Sequence, residues 1–412
     1  MTGSAPRAAR VTGSAPRAPR VTGVCVVLAA GGTAGHLEPA LALADALRRA
    51  EPDVAVTVLG TPRGLETRLV PARGYRLVTI PAVPLPRRPG RQLLTVGPRL
   101  ARAYRAARRV LSAAHADVLV GFGSYAALPA YLAARRAGIP SVVHESNALP
   151  GLGNRVGARL TGHVHAAVPG TGLPHAVVTG IPLRRSVSTV DRAAARAGAR
   201  ESFGLDGAPG RQSGDRPTLL VTGGSQGAAS INRAAAGAAD RLAGLGFGML
   251  HVTGPTAAGL AGAGEPPPGV VRVGYTNRMD LAYAAADLVL SRSGAMTCAE
   301  LSAVGLPAVF VPLPHGNGEQ GRNAALLVAA GAALVIPDAE LTADRVVELA
   351  GGLLADQARL AAMSAAGRDS GHAGADDRLA AEVLRIARDG DRATGRPRRP
   401  GRGRLGGRGR TA

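Results

Sequence analysis

The sequence predicts an α/β protein with two units of parallel sheet, each covered by helices on both faces. Three observations lead to this fold class. Buried-strand patterns alternate with helical patterns along the chain, as is typical of parallel sheets with crossover helices. The alternation weakens over residues 183–216 and then restarts. A chain of 412 residues with 46% hydrophobic content is large enough for two cores.

The first unit is predicted from short apolar runs separated by helical segments. The runs at 24–29, 54–59, 118–121 and 141–144 predict strands. Helices are predicted at about 39–49, where Pro39 suits a first helical turn, and at 98–111. His163 and His165 alternate across a further strand. Since no third metal ligand accompanies them, we interpret both as structural.

The second unit repeats this pattern. Strands are predicted at 218–221, 249–252, 270–273 and 287–291, with a glycine-rich loop at 222–227 that leads into a helix ending near 243. The strand at 287–291 is followed by a turn, a helix at 295–304, a strand at 305–312 and a polar loop at 315–320. Part of 188–204 is expected to be helical, and the amphipathic run 377–386 is expected to cross back over the first unit.

These patterns predict two domains with a linker between them and low-complexity ends. The first twenty residues hold a tandem repeat, MTGSAPRAAR and VTGSAPRAPR, which is either a disordered extension or a mis-assigned translation start. The predicted parts are an extension at 1–20, a first domain at 21–183, a linker at 184–216, a second domain at 217–368, a C-terminal helix at 369–388 and a disordered basic tail at 389–412.

The net charge of +21 is concentrated in three segments. Residues 1–20 and 392–412 together carry twelve arginines and no acid, and residues 85–110 carry eight more arginines and no acid. The rest of the chain is therefore nearly neutral. A nucleic-acid-binding module would explain the basic tails, but interleaved aromatic residues and recognition motifs are missing, so we expect no specific nucleic-acid partner.

The cysteines and the apolar segments indicate a cytoplasmic protein without a bound metal. Cys25 and Cys298 are two distant thiols, which suggests a reducing compartment. No run of eighteen apolar residues and no signal peptide is present. The one Asp-x-Asp pattern, Asp389 to Asp391, lies beside the basic tail, so we expect neither a metal nor another cofactor.

Residues 291–324 form the segment most typical of nucleotide-sugar binding. A strand feeds a helix through Arg292, Ser293 and Gly294, and the free N–H groups of that helix favour a phosphate. Glu300, further along the helix, can accept hydrogen bonds from the two hydroxyls of a ribose. The alternative is an ordinary βαβ unit with a solvent-facing glutamate.

A first glycine loop, residues 29–36, lies between a buried strand and a helix. Gly31, Gly32 and Gly35 permit close approach of a ligand, and Thr33 offers a hydroxyl. The loop is not GxGxxG and no acid ends the next strand, so a dinucleotide site is poorly supported. His36 is the candidate general base, because imidazole titrates near neutral pH. Its alternative role is to cap the helix or brace the loop.

Other polar residues follow strands at the same predicted edge. Ser225, in the second glycine loop, is a candidate for binding a diphosphate, although such a loop alone is a weak signal. Tyr125 and Asn147 are candidates for holding a sugar acceptor. His144 and Glu145 are further acceptor-side candidates, or else a buried hydrogen-bonded pair at a strand end. Arg184, at the domain junction, can stabilise a leaving diphosphate in place of a metal.

The basic segment at 85–111 is a candidate membrane-binding surface. Its helix places Arg102, Arg105 and Arg109 opposite an apolar face, and Leu93 and Leu94 precede it. Apolar surface beside a cationic flank suits an anionic membrane. The alternative is an ordinary surface helix with a solvated basic face.

Five motifs, in this order, resemble those of the MurG family of glycosyltransferases: GGTAGHLEPALALADAL, HESNALPGLGNR, TGIPLR, TGGSQGA and RSGAMTCAELSAVGLPAVFVPLPHGNGEQGRNA. The resemblance runs from about residue 24 to residue 365. It implies a GT-B fold, in which two Rossmann-like domains face each other across a cleft, and UDP-N-acetylglucosamine held mainly by the C-terminal domain.

The resemblance also implies a set of donor contacts. Three positions depart from the family pattern: Glu319 replaces the first glutamine of a usual pair, HESN replaces HEQN, and Ile181 replaces an asparagine. The implied donor contacts are Thr33, Ala34, Gly35, Asn147, Arg184, Ser225, Thr276, Ala295, Met296, Thr297, Cys298, Ala299, Glu300 and Gln320.

The implied reaction inverts the anomeric centre. The C4 hydroxyl of a lipid-linked N-acetylmuramyl-pentapeptide attacks the anomeric carbon of the donor, with His36 as the base, at the cytoplasmic side of the cell membrane. Alternatives that keep Glu300 and the glycine loops are a glycosyltransferase acting on an antibiotic or a glycolipid, and a sugar-nucleotide epimerase.

Overall fold

A computed structural model describes residues 23–83, 93–206, 216–368 and 374–394 of the protein. The side chains of residues 93–95 and 391–394 lie outside this description. The predicted extension at 1–20 and residues 395–412 of the predicted basic tail also lie outside the described residues.

The N-terminal half forms a seven-stranded sheet in which all neighbouring strands are parallel. The spatial order is β3-β2-β1-β4-β5-β6-β7, so the order of the strands reverses between β1 and β4. The strands are β1 Cys25–Ala29, β2 Ala55–Gly60, β3 Arg76–Thr79, β4 Val118–Gly121, β5 Ser141–Glu145, β6 His163–Ala166 and β7 Ala176–Val178.

The C-terminal half forms a six-stranded parallel sheet in the order β10-β9-β8-β11-β12-β13. Its order reverses between β8 and β11. The strands are β8 Thr218–Thr222, β9 Gly248–Val252, β10 Val270–Val273, β11 Leu288–Ser291, β12 Ala308–Phe310 and β13 Ala333–Val335.

Helices cover both faces of each sheet. A short 3₁₀ turn at Asp338–Glu340 precedes α12, and a π-helical turn at Val347–Gly351 joins α12 to α13. The helices are α1 Ala34–Ala50, α2 Glu66–Ala72, α3 Leu93–Ala113, α4 Ala127–Ala137, α5 Leu152–Gly157, α6 Arg185–Ser188, α7 Arg192–Phe203, α8 Ala229–Gly244, α9 Met279–Ala285, α10 Ala295–Val304, α11 Glu319–Ala329, α12 Ala343–Val346, α13 Gly352–Ala355, α14 Gln357–Arg368 and α15 Ala375–Thr394.

The central strand β1 shows how the sequence produces this layering. Side chains alternate across a strand, so Val26 and Leu28 pack with α1 on one face, and Val27 packs with α3 and α4 on the other. All three are fully buried. A strand buried on both faces has the continuous apolar run that the sequence shows at 24–29.

The C-terminal helix α15 lies against α1 and completes the N-terminal core. Leu379 and Val383 on α15 are fully buried in the same cluster as Leu41 of α1. Burial of each large aliphatic side chain contributes roughly 1.5–3 kcal/mol. Helix α15 extends past residue 388, where the sequence predicted the helix to end, and the predicted domain limits themselves stay a prediction.

Helix boundaries differ from the sequence prediction at two places that bear on the site. Helix α1 begins at Ala34 rather than near Pro39, so Gly35 and His36 lie in its first turn. Proline favours the first helical position, but Pro39 is the sixth residue of α1, where it removes one intrahelical N–H donor. Helix α11 begins at Glu319, so Gln320 lies in a helix and not in the predicted polar loop.

Candidate functional site

The candidate site lies at the carboxyl edges of the two sheets, at the places where the strand order of each sheet reverses. In open parallel sheets, ligands bind outside the carboxyl ends of the strands where the strand order reverses. In the N-terminal sheet these ends lead into the first glycine loop after β1 and into Phe122–Tyr125 after β4. In the C-terminal sheet they lead into the second glycine loop after β8 and the Ser293 turn after β11. The site therefore draws on both domains.

The two halves meet at the N-terminal end of α10. Helix α10 contacts α1 and α6. A small apolar cluster joins Ala295 and Ala299 of α10 to Ala167, Ile181 and Leu183, which follow the N-terminal sheet. The contact places the first turn of α10 beside the elements that carry the first glycine loop.

The first glycine loop is held open by a buried carboxylate. Gly31 and Gly32 have positive φ angles of 153° and 85°, which favour glycine. The backbone N–H of Gly32 donates to Glu66 Oε2 at 2.9 Å, and Thr61 donates to Glu66 Oε1 through its N–H at 2.8 Å and its hydroxyl at 2.7 Å. Glu66 is fully buried. A side chain at Gly31 would collide with this carboxylate.

Thr33, Ala34 and Gly35 lie at the start of α1. Thr33 is the N-cap in an extended conformation, and its side chain does not cap the helix. Its hydroxyl lies instead 3.0 Å from Nδ1 of His36. Burial lowers the pKa of His36 from its ordinary value of 6.5. The imidazole is thus neutral at pH 7 and paired with a hydroxyl at the helix start, as a general base requires.

His144 and Glu145, at the end of β5, are both buried. His144 Nε2 lies 2.9 Å from the carbonyl oxygen of Gly180, and burial lowers its pKa to about 4. Burial raises the pKa of Glu145, although its oxygens accept hydrogen bonds from Asn147, Gly151 and Asn154. The geometry fits the alternative of buried bracing groups at a strand end, with the difference that the two side chains bond to other residues and not to each other.

Asn147 lies where the two domains touch. Its own N–H donates to Glu145 Oε1 at 2.9 Å, and its Oδ1 accepts from Asn323 Nδ2 at 3.4 Å. Asn323, on α11, also accepts from the N–H of Ala148 at 2.9 Å and donates to the carbonyl oxygen of Ser293 at 3.4 Å. One amide of the C-terminal domain therefore joins the Asn147 loop to the turn before α10.

Tyr125 is the one acceptor-side candidate that the structure exposes. Its side chain is 55% accessible and lies in the loop after β4. A phenol there presents both an apolar ring and a hydroxyl at the carboxyl edge of the sheet. Tyr125 is thus available to an acceptor, in contrast to His144 and Glu145.

Helix α10 carries six of the predicted donor contacts, Ala295 to Glu300. Gly294 caps the helix in an extended conformation, without a side-chain hydrogen bond. Ser293, just before it, is fully buried, and its Oγ has no hydrogen-bond partner among the described residues. Met296 and Thr297 are half-buried, whereas Cys298 is buried and burial raises the pKa of its thiol, so that it stays uncharged. The Ser293 hydroxyl thus lies next to the start of α10, where the first backbone N–H groups have no partner within the helix.

Glu300 is 8% exposed and lies on α10. Its Oε2 accepts a hydrogen bond of 2.7 Å from the hydroxyl of Tyr283. Burial raises the pKa of Glu300, while this hydrogen bond and the positive charge of Arg184 lower it. Arg184, the N-cap of α6, also lies 3.6 Å from a carboxylate oxygen of Glu38 on α1. The guanidinium therefore stands between acids of the two domains.

The remaining predicted donor residues differ in exposure and in hydrogen bonding. Ser225 is exposed in the second glycine loop. Thr276 is half-buried, and its hydroxyl accepts from the N–H of Arg278 at 3.0 Å. Gln320 uses its amide oxygen to accept from the N–H of Leu313 at 2.9 Å, which fixes the amide. Glu319, where the chain departs from the family pattern, lies in the first turn of the same helix.

Sequence comparison decides the family. The chain is 56% identical over 367 residues to the UDP-N-acetylglucosamine–N-acetylmuramyl-(pentapeptide) pyrophosphoryl-undecaprenol N-acetylglucosamine transferase of Acidothermus cellulolyticus, covering 88% of this chain and 98% of that one. It is 55% identical to the protein of the same name from Mycolicibacterium smegmatis, covering 89% and 94%. The chain belongs to the MurG family. The family predicted from the five motifs is thereby confirmed.

Domain and fold comparisons agree with MurG membership. Residues 26–166 match the glycosyltransferase family 28 N-terminal domain, and residues 218–379 match its C-terminal domain. The crystal structure of Acinetobacter baumannii MurG superposes with a TM-score of 0.67 at 27% identity, covering 87% of this chain and 99% of that one. A UDP-N-acetylglucosamine 2-epimerase from Neisseria meningitidis, at 14% identity and a TM-score of 0.61, covering 87% and 100%, shares the fold alone. The GT-B prediction is confirmed.

Three residues of this MurG-family site were not predicted from the sequence. Glu66, Tyr283 and Asn323 hold the first glycine loop, Glu300 and the Asn147 loop respectively. Asn323 lies within a motif that carried the family resemblance, so its position was available as a signal. Glu66 follows Gly60 and Gly64, a weak signal, and no local pattern points to Tyr283.

The predicted membrane surface lies on α3. Arg102, Arg105 and Arg109 are exposed. The apolar face opposite them is not a free surface, which corrects that part of the prediction: Ala107 and Leu111 are buried in the core, and Leu100 and Tyr104 pack against it. The side chains of Leu93 and Leu94 lie outside the described residues, although both positions belong to α3. No helix in the described ranges is long and apolar enough to span a membrane.

Proposed function

We propose that this MurG-family chain transfers N-acetylglucosamine from UDP-N-acetylglucosamine to the lipid-linked N-acetylmuramyl-pentapeptide that the names of its relatives describe. The observation that carries the proposal is the start of α10. Three features follow one another along it: the buried Ser293 hydroxyl, which has no hydrogen-bond partner in the described part of the chain, the helix terminus without a side-chain cap, and the Glu300 carboxylate. A diphosphate followed by a ribose supplies the complementary groups in the same order.

The diphosphate would be bound without a metal-binding motif of the chain. Free N–H groups at a helix N-terminus attract an anion, and Ser293 Oγ donates a further hydrogen bond. Arg184 is already beside Glu300, so its charge is available when UDP leaves. Buried hydroxyls normally have a hydrogen-bond partner, which supports a phosphate oxygen at Ser293.

His36 would remove the proton from the attacking C4 hydroxyl of the muramyl sugar. The ring then takes the tautomer in which Nδ1–H donates to Thr33, and Nε2 accepts the proton. Attack from the face opposite the leaving UDP inverts the anomeric carbon. Tyr125 lies at the edge from which the acceptor would enter.

The enzyme would act as a peripheral protein on the cytoplasmic face of the cell membrane. Its lipid-linked acceptor is confined to a bilayer, and the exposed arginines of α3 offer a cationic surface to anionic lipid headgroups. No observation on the folded residues favours a nucleic acid as a partner over this surface.

A donor and acceptor panel tests the function. The wild-type enzyme is expected to transfer sugar from UDP-N-acetylglucosamine to the lipid-linked muramyl-pentapeptide, and to use UDP-glucose and UDP-galactose poorly. Transfer to an antibiotic aglycone, or release of an epimerised sugar nucleotide without an acceptor, would replace the proposal with one of the two alternatives.

A further inference from the structure

We propose that Tyr283 is a positioning residue that fixes the Glu300 carboxylate for ribose recognition and so makes the site selective for ribonucleotides over deoxyribonucleotides. The inference deepens the proposed function and rests on it, because Glu300 must face the donor nucleotide. Tyr283 itself touches neither substrate nor the reacting atoms.

The contact between the two side chains is short and buried. The Tyr283 hydroxyl donates to Glu300 Oε2 at 2.7 Å, Tyr283 is 2% exposed and Glu300 is 8% exposed. Among the described residues, no hydrogen bond reaches Glu300 Oε1. A carboxylate with one oxygen held in this way keeps a single orientation, and its second oxygen stays available for the hydroxyls of a ligand.

The backbone that carries Tyr283 is clamped to the helix that carries Glu300. Arg192, on α7, donates to the carbonyl oxygens of Tyr283 at 3.1 Å, Ala286 at 2.6 Å and Gly305 at 3.0 Å. Gly305 is the C-cap of α10. One guanidinium therefore joins the end of α9 to the end of α10. The hydroxyl of Tyr283 and the carboxylate of Glu300 are thus held in a fixed relation by backbone as well as by their own contact.

The surrounding charges explain why a tyrosine suits this place. Burial raises the pKa of Glu300, Glu38 on α1 raises it further, and Tyr283 on α9 and Arg184 before α6 lower it. Burial also raises the pKa of Tyr283 well above its ordinary value, so the phenol stays a hydrogen-bond donor at neutral pH. Cys298, on α10 itself, is likewise uncharged. The hydrogen bond from Tyr283 therefore opposes the rise in the pKa of Glu300 that burial causes.

Loss of the Tyr283 hydroxyl should reduce the preference of the site for a ribonucleotide over a deoxyribonucleotide. A carboxylate oriented toward the 2′- and 3′-hydroxyls is left with an unfilled acceptor when the 2′-hydroxyl is missing. A hydrogen bond to a charged group is worth roughly 1.5–3 kcal/mol, which corresponds to about 10- to 100-fold in affinity. If the Glu300 carboxylate is free to rotate, much of the affinity gained from the 2′-hydroxyl is lost, because the carboxylate is no longer held in the orientation that accepts its hydrogen bond.

The test measures the affinities of UDP and 2′-deoxy-UDP for the wild type, Tyr283→Phe and Tyr75→Phe. Tyr75 is a matched control, because it is 5% exposed and its hydroxyl donates to the Asp45 carboxylate at 2.6 Å in the N-terminal domain. The wild type and Tyr75→Phe are expected to prefer UDP by at least about tenfold. Tyr283→Phe is expected to reduce that preference to about threefold or less.

The pH dependence adds a readout that a merely structural role would not move. Phenylalanine removes a group that lowers the pKa of Glu300, so Glu300 takes up a proton at a higher pH in Tyr283→Phe. As the pH is lowered, the UDP affinity of this variant should therefore begin to fall at a higher pH than that of the wild type. Equal thermal stability of Tyr283→Phe and Tyr75→Phe would show that unfolding does not cause the difference.

The possible outcomes separate this inference from the function on which it rests. If the wild type transfers the sugar and prefers UDP, but Tyr283→Phe keeps the full preference and the same pH dependence, the role of Tyr283 is refuted and the function stands. If the wild type binds UDP and 2′-deoxy-UDP equally, ribose reading by Glu300 is refuted. If the wild type does not transfer the sugar in the donor panel, the proposed function fails first.

Discussion

Individual buried polar side chains fix the positions of the loops and the carboxylate of the candidate site. Glu66 illustrates the physics, because a carboxylate taken out of water is costly unless hydrogen bonds compensate. Three donors from Thr61 and Gly32 do so, and they outweigh burial, so that the pKa of Glu66 is below its ordinary value. The carboxylate therefore ties the first glycine loop to the end of β2.

Replacement of Glu66 by glutamine should loosen that loop. The amide group presents N–H to donors that need an acceptor, which leaves buried groups unsatisfied and costs about 1–3 kcal/mol of unfolding free energy. Urea unfolding measures the loss, and Glu340→Gln, at an exposed site, is the control. Because the pKa of Glu66 is lowered, its contribution is complete above pH 4.5 and is lost as the pH falls through the lowered value. An unchanged stability at pH 7 would refute the bracing role.

The assignment of His36 as the base predicts a specific loss of turnover. His36→Ala should lower kcat at least about 100-fold, with little change in the KM for the donor. The lowered pKa of His36 means that the ring stays neutral below pH 6.5, so the acidic limb of the wild-type rate profile should lie below that value. His175→Asn, at an exposed loop position, is the control. A His36→Ala variant within a few-fold of the wild type would remove His36 from the role.

At the scale of elements, a strand was predictable where its sequence is a continuous or nearly continuous apolar run. The run at 118–121 matches β4 to the residue, because a strand inside a parallel sheet needs a continuous apolar sequence. The run at 270–273 matches β10, an edge strand that is apolar apart from Arg272. β7 is apolar but only three residues long, and the apolar part of β3 is limited to Leu77 and Val78, so neither gives a run long enough to predict a strand. The early start of α1 was missed because the helix begins with small residues and no side-chain cap.

Helix α3 gives a prediction about membrane binding. Substituting Arg102, Arg105 and Arg109 by glutamine should weaken binding to vesicles of anionic phospholipid by about 100-fold, since each arginine near such a surface contributes about 1 kcal/mol. Vesicle sedimentation at fixed salt measures the affinity. The same change at Arg233, Arg241 and Arg359, which are exposed in the C-terminal domain, keeps the net charge equal. Equal binding by both triple variants would contradict the assignment of α3.

At the scale of the whole molecule, the site depends on contacts between residues far apart in sequence. Asn323 meets Asn147 and Ala148 only when both domains are folded and in contact, and Arg184 lies beside Glu38, which is 146 positions away in the sequence. Short sequence patterns cannot predict contacts between residues that lie so far apart in the chain. The motifs predicted a set of candidate site residues, but the partners that hold several of them in place, such as Tyr283 and Asn323, required the packed structure.

Asn323→Ala should loosen the contact between the domains. The substitution removes the acceptor for the Ala148 N–H and the donor to Ser293, so the Asn147 loop is no longer tied to α10. With a hydrogen bond worth about 1 kcal/mol, the KM for UDP-N-acetylglucosamine should rise roughly fivefold while thermal stability changes little. Steady-state kinetics with the lipid-linked acceptor measures this. A lowered kcat at an unchanged KM would contradict a role in holding the donor side.

We expect the nucleotide half of the donor to lie along the first turns of α10. The most direct measurement is a crystal structure of the protein with UDP. In that structure we expect the diphosphate at Ser293 and Gly294, and the ribose hydroxyls within hydrogen-bond distance of Glu300, with Tyr283 still hydrogen-bonded to the carboxylate. A nucleotide bound elsewhere, or a ribose that does not contact Glu300, would contradict this expectation.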